Sequence, residues 1–188
     1  QALKLSSSVS QLELLDTIMQ QGLNCPRSSS VGRLYDGIAA LIGSRRLVSV
    51  VGQAAMELEG LAAGGRGSAC AFDIAEHNDI EQFDSAACIR EIVSRLRAGG
   101  NPADIAASFH LTMCEALAGL AERTREKTGL ARVVLSGGCF QNRRLLAGCT
   151  EALTRRKFEV FSHRRIPTND GGISLGQAVS AGYRLLHA

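Results

Sequence analysis

Apolar residues recur at three- and four-residue spacing through most of this chain, and glycine, proline and serine clusters separate those stretches. Ser8 or Ser10 suits the cap of a first helix running to about Gln21, with Leu12, Leu15, Ile18 and Met19 on one face and Gly22 as its stop. A polar linker from Asn24 to Ser30 ends in a natural cap. The next helix runs from about Val31 to Ile42, is striped by Leu34, Ile38, Leu41 and Ile42, and closes at Gly43. Leu47 to Val51 is short and β-branched, which fits a brief strand or a loop pressed on the core. Gly52-Gln53 opens a helix to about Ala63, with Met56, Leu58 and Leu61 apolar. Gly64 to Gly67 reads as a flexible turn, and Cys70 to Ile74 alternates like a strand. Phe83-Asp84-Ser85 then starts a helix of about Ala86 to Ala98. Gly99-Gly100-Asn101-Pro102 breaks it, and a long helix follows from about Ala103 to Lys127, with Ile105, Phe109, Met113, Leu117 and Leu120 in step.

Beyond that helix the pattern becomes strand, turn, helix, twice over. Arg132 to Ser136 is a buried-looking strand, and Phe140 to about Arg155 is helical. Phe158 to Phe161 is a second strand. The last helix spans Gly172 to Leu186, with Ile173, Leu175, Val179 and Tyr183 roughly on one side. The sum is a helix-rich α/β protein. Its 188 residues fit one domain or two small lobes.

Composition narrows the picture. Aromatics make up 4% and there is no Trp, so Leu, Ile, Val and Ala must build the core. The net charge of +3 is spread out, which is too mild to argue for nucleic acid; Arg155-Arg156-Lys157 and His163-Arg164-Arg165 read as solvated surface. Six cysteines occur with no Cys-x-x-Cys pair and no secretory signal, the usage of reduced thiols in a cytoplasmic protein. No apolar run approaches the roughly 18 residues a membrane span needs. The chain starts at Gln1 inside helical sequence, which reads as a fragment or a processed chain.

Two glycine turns carry the candidate chemistry. Ser136-Gly137-Gly138-Cys139-Phe140-Gln141-Asn142 joins a strand to a helix, and Pro167-Thr168-Asn169-Asp170-Gly171-Gly172-Ile173 leads into the last helix. Glycine lets backbone approach a ligand, and a helix start offers free N–H groups to phosphate. The same features also fit plain tight turns. Asp170 reads locally as a helix cap or as a hard oxygen ligand for a divalent cation. Asp36 lies three residues from Arg33, which suits either an ion pair on one helix face or a carboxylate accepting ribose hydroxyls. Glu57, at a helix start, is favourable through the dipole alone or binds nucleotide hydroxyls. His110, mid-helix, reads as a hydrogen-bonded structural residue, and His163 as exposed. No complete zinc site and no Walker-type loop is encoded.

Taken in order, five segments closely resemble the C-terminal part of the hydrogenase-maturation carbamoyltransferases, the HypF family. They are Ser-Ser-Ser-Val-Gly-Arg-Leu-Tyr-Asp (28–36), Gly-Gln-Ala-Ala-Met-Glu-Leu-Glu (52–59), Ile-Ala-Ala-Ser-Phe-His (105–110), Leu-Ser-Gly-Gly-Cys-Phe-Gln-Asn-Arg (135–143) and Pro-Thr-Asn-Asp-Gly-Gly-Ile-Ser-Leu-Gly-Gln-Ala (167–178). The resemblance implies one lobe of a two-lobed actin/hexokinase/heat-shock ATPase-like domain, similar to the tRNA threonylcarbamoyl-transfer proteins, with ATP bound between the lobes. It implies that Ser136, Gly137 and Gly138 approach the phosphates, that Asn142 helps position the nucleotide, and that Asp36 and less directly Glu57 reach the ribose. Asp170 becomes one ligand of a divalent metal, completed by two histidines of the absent first lobe. The implied reaction makes a carbamoyl adenylate from carbamoyl phosphate and ATP. The carbamoyl group then passes to the C-terminal cysteine of a partner maturation protein, as precursor of the cyanide ligand of nickel–iron hydrogenase. The lobe alone is expected to be inactive and open to self-association. Two positions depart from the family pattern: Val50-Val51 replaces an aromatic–Glu pair, and Cys139 stands where Val is usual. The first departure keeps open a non-catalytic docking or scaffold module. Transfer to another acceptor, a small molecule or tRNA adenosine, is the remaining alternative.

Overall fold

A computed structural model describes residues 9–26, 28–44, 48–78 and 80–187. Ser8, Arg27 and Leu47, used in the expectations above, lie outside them. The described elements are α1 (Val9–Gln20), α2 (Val31–Ile42), α3 (Gln53–Ala63), β1 (Asp73–His77), β2 (Ile80–Asp84), α4 (Ala86–Arg97), α5 (Pro102–Thr128), β3 (Arg132–Leu135), α6 (Arg143–Arg155), β4 (Glu159–Ser162) and α7 (Ile173–His187). Short 3-10 turns, Gly138–Gln141 and Asp170–Gly172, precede α6 and α7.

Helix α5 is the axis of the body. Proline at its first position and Asn101 as cap, whose Oδ1 accepts from Ala103 N at 2.8 Å, start it; Gly129 in the left-handed region ends it. Helices α2, α3, α4 and α6 pack around it, and one core joins Tyr35, Ile38, Leu58, Ile92, Phe109 and Leu153. Polar groups inside that core are satisfied locally: Thr112 Oγ1 donates to Ser108 O at 2.8 Å and accepts from Cys70 N at 2.8 Å. At the far end, Arg156 donates to Glu115 and Glu122 while Arg125 lies 4.2 Å over the Phe158 ring, tying α5 to α6.

Strands β3 and β4 pair in parallel with Leu135 opposite Ser162, as the strand–helix–strand pattern predicts. Their inner residues, Val133, Leu135 and Val160, join the core. The cross-strand neighbours Val134 and Phe161 face outward, 67% and 46% exposed.

Several expectations are corrected. Strand β1 begins at Asp73, not Cys70. It pairs antiparallel with β2, and Asn78 at φ 52° sits in the turn between them. Both strands are mostly exposed, so no apolar alternation marked the second one. Cys70 is instead buried beside Cys88, and that neighbouring thiol pulls the Cys70 pKa down to about 7. Gly64 to Gly67 is not a loose turn. A Cβ at Gly65 would collide with the Ala103 carbonyl, and one at Gly67 with Ser108 Oγ, so both glycines are where the chain presses against the start of α5. In α3 the buried face is Ala54, Leu58 and Ala62, while Met56 is exposed. Ser10 lies within α1 rather than at its cap. No strand forms over the described part of 47–51. The helix expected from Phe140 begins at Arg143, because the 3-10 turn and the Asn142 cap occupy the intervening residues. The apolar residues of α1 and α7 are largely exposed.

Candidate functional site

The parallel register sets the site. Because Leu135 faces Ser162, the residues that leave the two strands emerge side by side at their carboxyl ends, where open α/β sheets bind ligands. His163 Nε2 meets Ser136 Oγ at 2.9 Å, a pairing that sequence spacing gave no reason to expect. His163 is exposed, as the sequence reading held.

The two glycine turns meet here. Gly137 N donates to Thr168 O at 2.9 Å, and Thr168 Oγ1 donates to Gly137 O at 3.1 Å. Gly137 has φ 105° and ψ 158°, a region open only to glycine. In the second turn Asn169, not Asp170, is the cap: its Oδ1 accepts from Gly171 N at 3.1 Å. Gly172 is required there by crowding, since a Cβ would stand 2.7 Å from Pro167 O. Asp170 is thereby released from capping. Its carboxylate is exposed and takes no hydrogen bond or ion pair among the described residues.

The amides near the first turn are not equally available. Asn142 Oδ1 accepts from Leu145 N at 2.8 Å, and Glu59 Oε1, reaching across from α3, accepts from Arg144 N at 3.1 Å. The start of α6 is therefore already occupied by a carboxylate and an amide oxygen, and it is not the anion-binding helix end that the sequence suggested. What remains open is the turn itself: among the described residues, no acceptor takes the amides of Gly138 and Cys139. Both glycines of the pair and Ser136 are exposed.

Beneath the turn lies a buried polar layer. His110 Nδ1 is 2.8 Å from Ala106 O, so that nitrogen carries the proton. Its Nε2 then accepts from Asn142 Nδ2 at 3.1 Å, consistent with Asn142 Oδ1 serving as cap. Burial holds the His110 pKa below its ordinary value. The Tyr35 ring stands edge-on to His110, centroids 5.1 Å apart, and its hydroxyl is buried with no partner among the described residues. Asn142, expected to touch nucleotide, thus has both ends of its side chain committed within the fold.

The remaining expected residues lie on α2 and α3. Asp36, half-buried on α2, pairs with Arg33 at 3.8 Å. Glu57 accepts from Gln53 Nε2 at 3.1 Å. Two residues beyond Glu57, Glu59 carries α3 to the start of α6 through Arg144 N. Among the described residues, no group of three His, Cys, Asp or Glu side chains is placed to hold a metal.

Residues 2–177 match the family described as Carbamoyltransferase, Kae1-like Domain, second subdomain. The chain belongs to this family. It is 39% identical over 178 residues to Carbamoyltransferase HypF of Rhizobium leguminosarum bv. viciae, covering 93% of this chain and 22% of that protein. It is 36% identical over 174 residues to Carbamoyltransferase HypF of Rhodobacter capsulatus, covering 92% of this chain and again 22% of the relative. Among solved structures, full-length HypF in a phosphate- and nucleotide-bound form superposes with a TM-score of 0.88 at 40% identity, covering 96% of this chain and 24% of that one. HypF of T. kodakarensis superposes at 0.80 with 26% identity over 95% of this chain and 23% of its own. The chain thus spans about a quarter or less of the length of each of these four relatives. The fold class is the one the resemblance implied, a helix-rich α/β lobe of the Kae1-like domain.

Proposed function

We propose that this lobe forms the nucleotide-facing half of a carbamoyltransferase site. The observation that carries the reading is the clasp between Gly137 and Thr168, which gathers Ser136, the open amides of Gly138 and Cys139, and the carboxylate of Asp170 at one end of the parallel strands. A full-length HypF relative at 40% identity was crystallised with phosphate and nucleotide. In this reading the ligand is ATP, whose phosphates lie over the Ser136–Gly138 turn and accept from its free amides. Ser136 Oγ donates to a phosphate oxygen, and His163 orients that hydroxyl. Asp36 and Glu57 supply carboxylates toward the ribose.

The second substrate is carbamoyl phosphate, and the activated intermediate is a carbamoyl adenylate. Its carbonyl is attacked by the thiolate of a C-terminal cysteine on a hydrogenase-maturation partner, and AMP leaves with the electron pair. A divalent cation suits this chemistry by neutralising phosphate charge. The residues described fit only part of such a site: Asp170 offers one hard oxygen donor, and the other ligands, two histidines in this reading, belong to the first lobe. That lobe also covers the outward pair Val134 and Phe161, since parallel sheets are buried on both faces. Without it, two copies of this lobe meet through the same surface. No helix among the described residues is long and apolar enough to cross a membrane, which fits a cytoplasmic enzyme.

The test uses the polypeptide that carries this lobe. Asp170→Ala should lower carbamoyl transfer to the partner's C-terminal peptide at least tenfold, the loss of one charged ligand. Gly137→Val should abolish measurable ATP binding, because valine cannot adopt φ 105°. Normal transfer by the first variant removes Asp170 from the site. Normal ATP affinity in the second removes the turn, and leaves a docking or scaffold module as the better reading.

A further inference from the structure

The layer beneath the glycine turn has a built-in polarity. His110 is buried on α5, and its two ring nitrogens are committed in opposite senses: Nδ1–H donates to Ala106 O at 2.8 Å and Nε2 accepts from Asn142 Nδ2 at 3.1 Å. Asn142 in turn caps α6 and ends the 3-10 turn Gly138–Gln141, its own amide donating to Cys139 O at 3.1 Å. One side chain therefore fixes which way the Asn142 amide points, and that amide fixes where the turn ends. We propose that His110 is a positioning residue for the nucleotide turn: by accepting from Asn142 it holds the cap, and with it the Gly138 and Cys139 amides, in the shape that receives phosphate. This rests on the nucleotide reading above.

The arrangement works in one protonation state only. A second proton on the imidazole would convert Nε2 into a donor facing the Asn142 Nδ2 donor, and the bond would be lost. The groups around the ring are Tyr35 from α2, Glu59 from α3, Arg144 from α6 and Cys114 one turn on along α5. Burial opposes the imidazolium and is the largest influence; the Ala106 carbonyl favours it, Arg144 opposes it and Glu59 favours it. The folded ring is held neutral more strongly than a free histidine. The turn is therefore set at pH above the ordinary histidine range and released as pH falls through the lowered folded value.

The decisive experiment titrates ATP into the polypeptide that carries this lobe, from about pH 8 downward to the acid limit at which the protein is still folded. His110→Gln keeps an acceptor for Asn142 but no proton to gain, so its affinity at pH 8 should stay within about twofold of wild type. His110→Leu removes the acceptor and should weaken ATP roughly tenfold, about 1.4 kcal/mol. As pH falls, wild type should lose more affinity than the Gln variant; every other group is common to both proteins, so the difference between the two profiles isolates His110. A Leu variant that binds like wild type overturns the proposal, as do wild-type and Gln profiles that coincide. If the Leu variant does not fold by circular dichroism, the comparison of profiles decides alone. Gly137→Val separates the two readings: lost binding there with intact binding in His110→Leu defeats only the positioning role, whereas intact binding in both defeats the nucleotide reading itself.

Discussion

Helices α5 and α7 look alike as sequence, with apolar residues at helical spacing in each, and they differ almost completely in surroundings. Along α5, eleven residues from Ile105 to Ala118 are buried, including polar Ser108, His110 and Thr112. Along α7 none is buried, and Leu185 stands 83% exposed. The difference is not one of propensity. Helix α5 is surrounded by α2, α3, α4 and α6 of the same chain, whereas the described contacts of α7 are chiefly with its own 3-10 entry turn. An apolar stripe records that a helix face is to be covered; it does not record by what.

The sharpest way to break the comparison is at its covered end. Phe109 is fully buried and packs edge-on against Tyr35 at a centroid separation of 4.9 Å. Phe109→Ala should destabilise the fold by about 3–5 kcal/mol, read from urea denaturation, through lost burial and the cavity left behind. A cost below ~1 kcal/mol would mean that α5 is not the centre of the fold. A smaller loss is expected where α5 begins. Gly65→Ala places a methyl group against the Ala103 carbonyl, which is backbone and cannot rotate away. It should cost roughly 1–3 kcal/mol by the same measurement, and an unchanged midpoint would show that the segment before β1 stands off from α5.

These contacts also mark where the sequence was legible. Helix bounds were readable where a cap coincided with the apolar period, Ser30 and Gly43 for α2, and where a glycine–proline break set the start of α5. The hairpin β1–β2 was not, because its strands are mostly solvated and its sequence is polar. The site shows the same division. Both glycine turns were visible as local patterns, and their order with the segments at 28–36 and 52–59 pointed to one family. The contacts that shape them were not visible. Gly137 and Thr168 are 31 residues apart, and Glu59 and Arg144 are 85 apart. The carboxylate that fills the start of α6 therefore left no local signal, and neither did the His163–Ser136 pair, which follows from strand register. Spacing along a chain reports neighbours within an element; it is silent on which side chain from another element takes a helix terminus.

The smallest expected effect lies at the uncovered end and separates two explanations of α7. Val179 and Tyr183 are one turn apart on that helix, each 63% exposed. Val179→Ser removes apolar surface that no described residue covers, so the stability of the chain by itself, read from urea denaturation, should change by less than about 0.5 kcal/mol. If a first lobe of the kind proposed also covers this face, the same substitution in a polypeptide carrying both lobes should cost about 1–2 kcal/mol, the transfer free energy of a buried valine. The pairing of the two measurements is what carries the inference. Equal small effects in both contexts would leave α7 as a solvent-facing helix and return the docking role to the Val134–Phe161 face alone. A large effect in the isolated chain would mean that α7 folds back onto α5, and the contrast between the two helices would vanish.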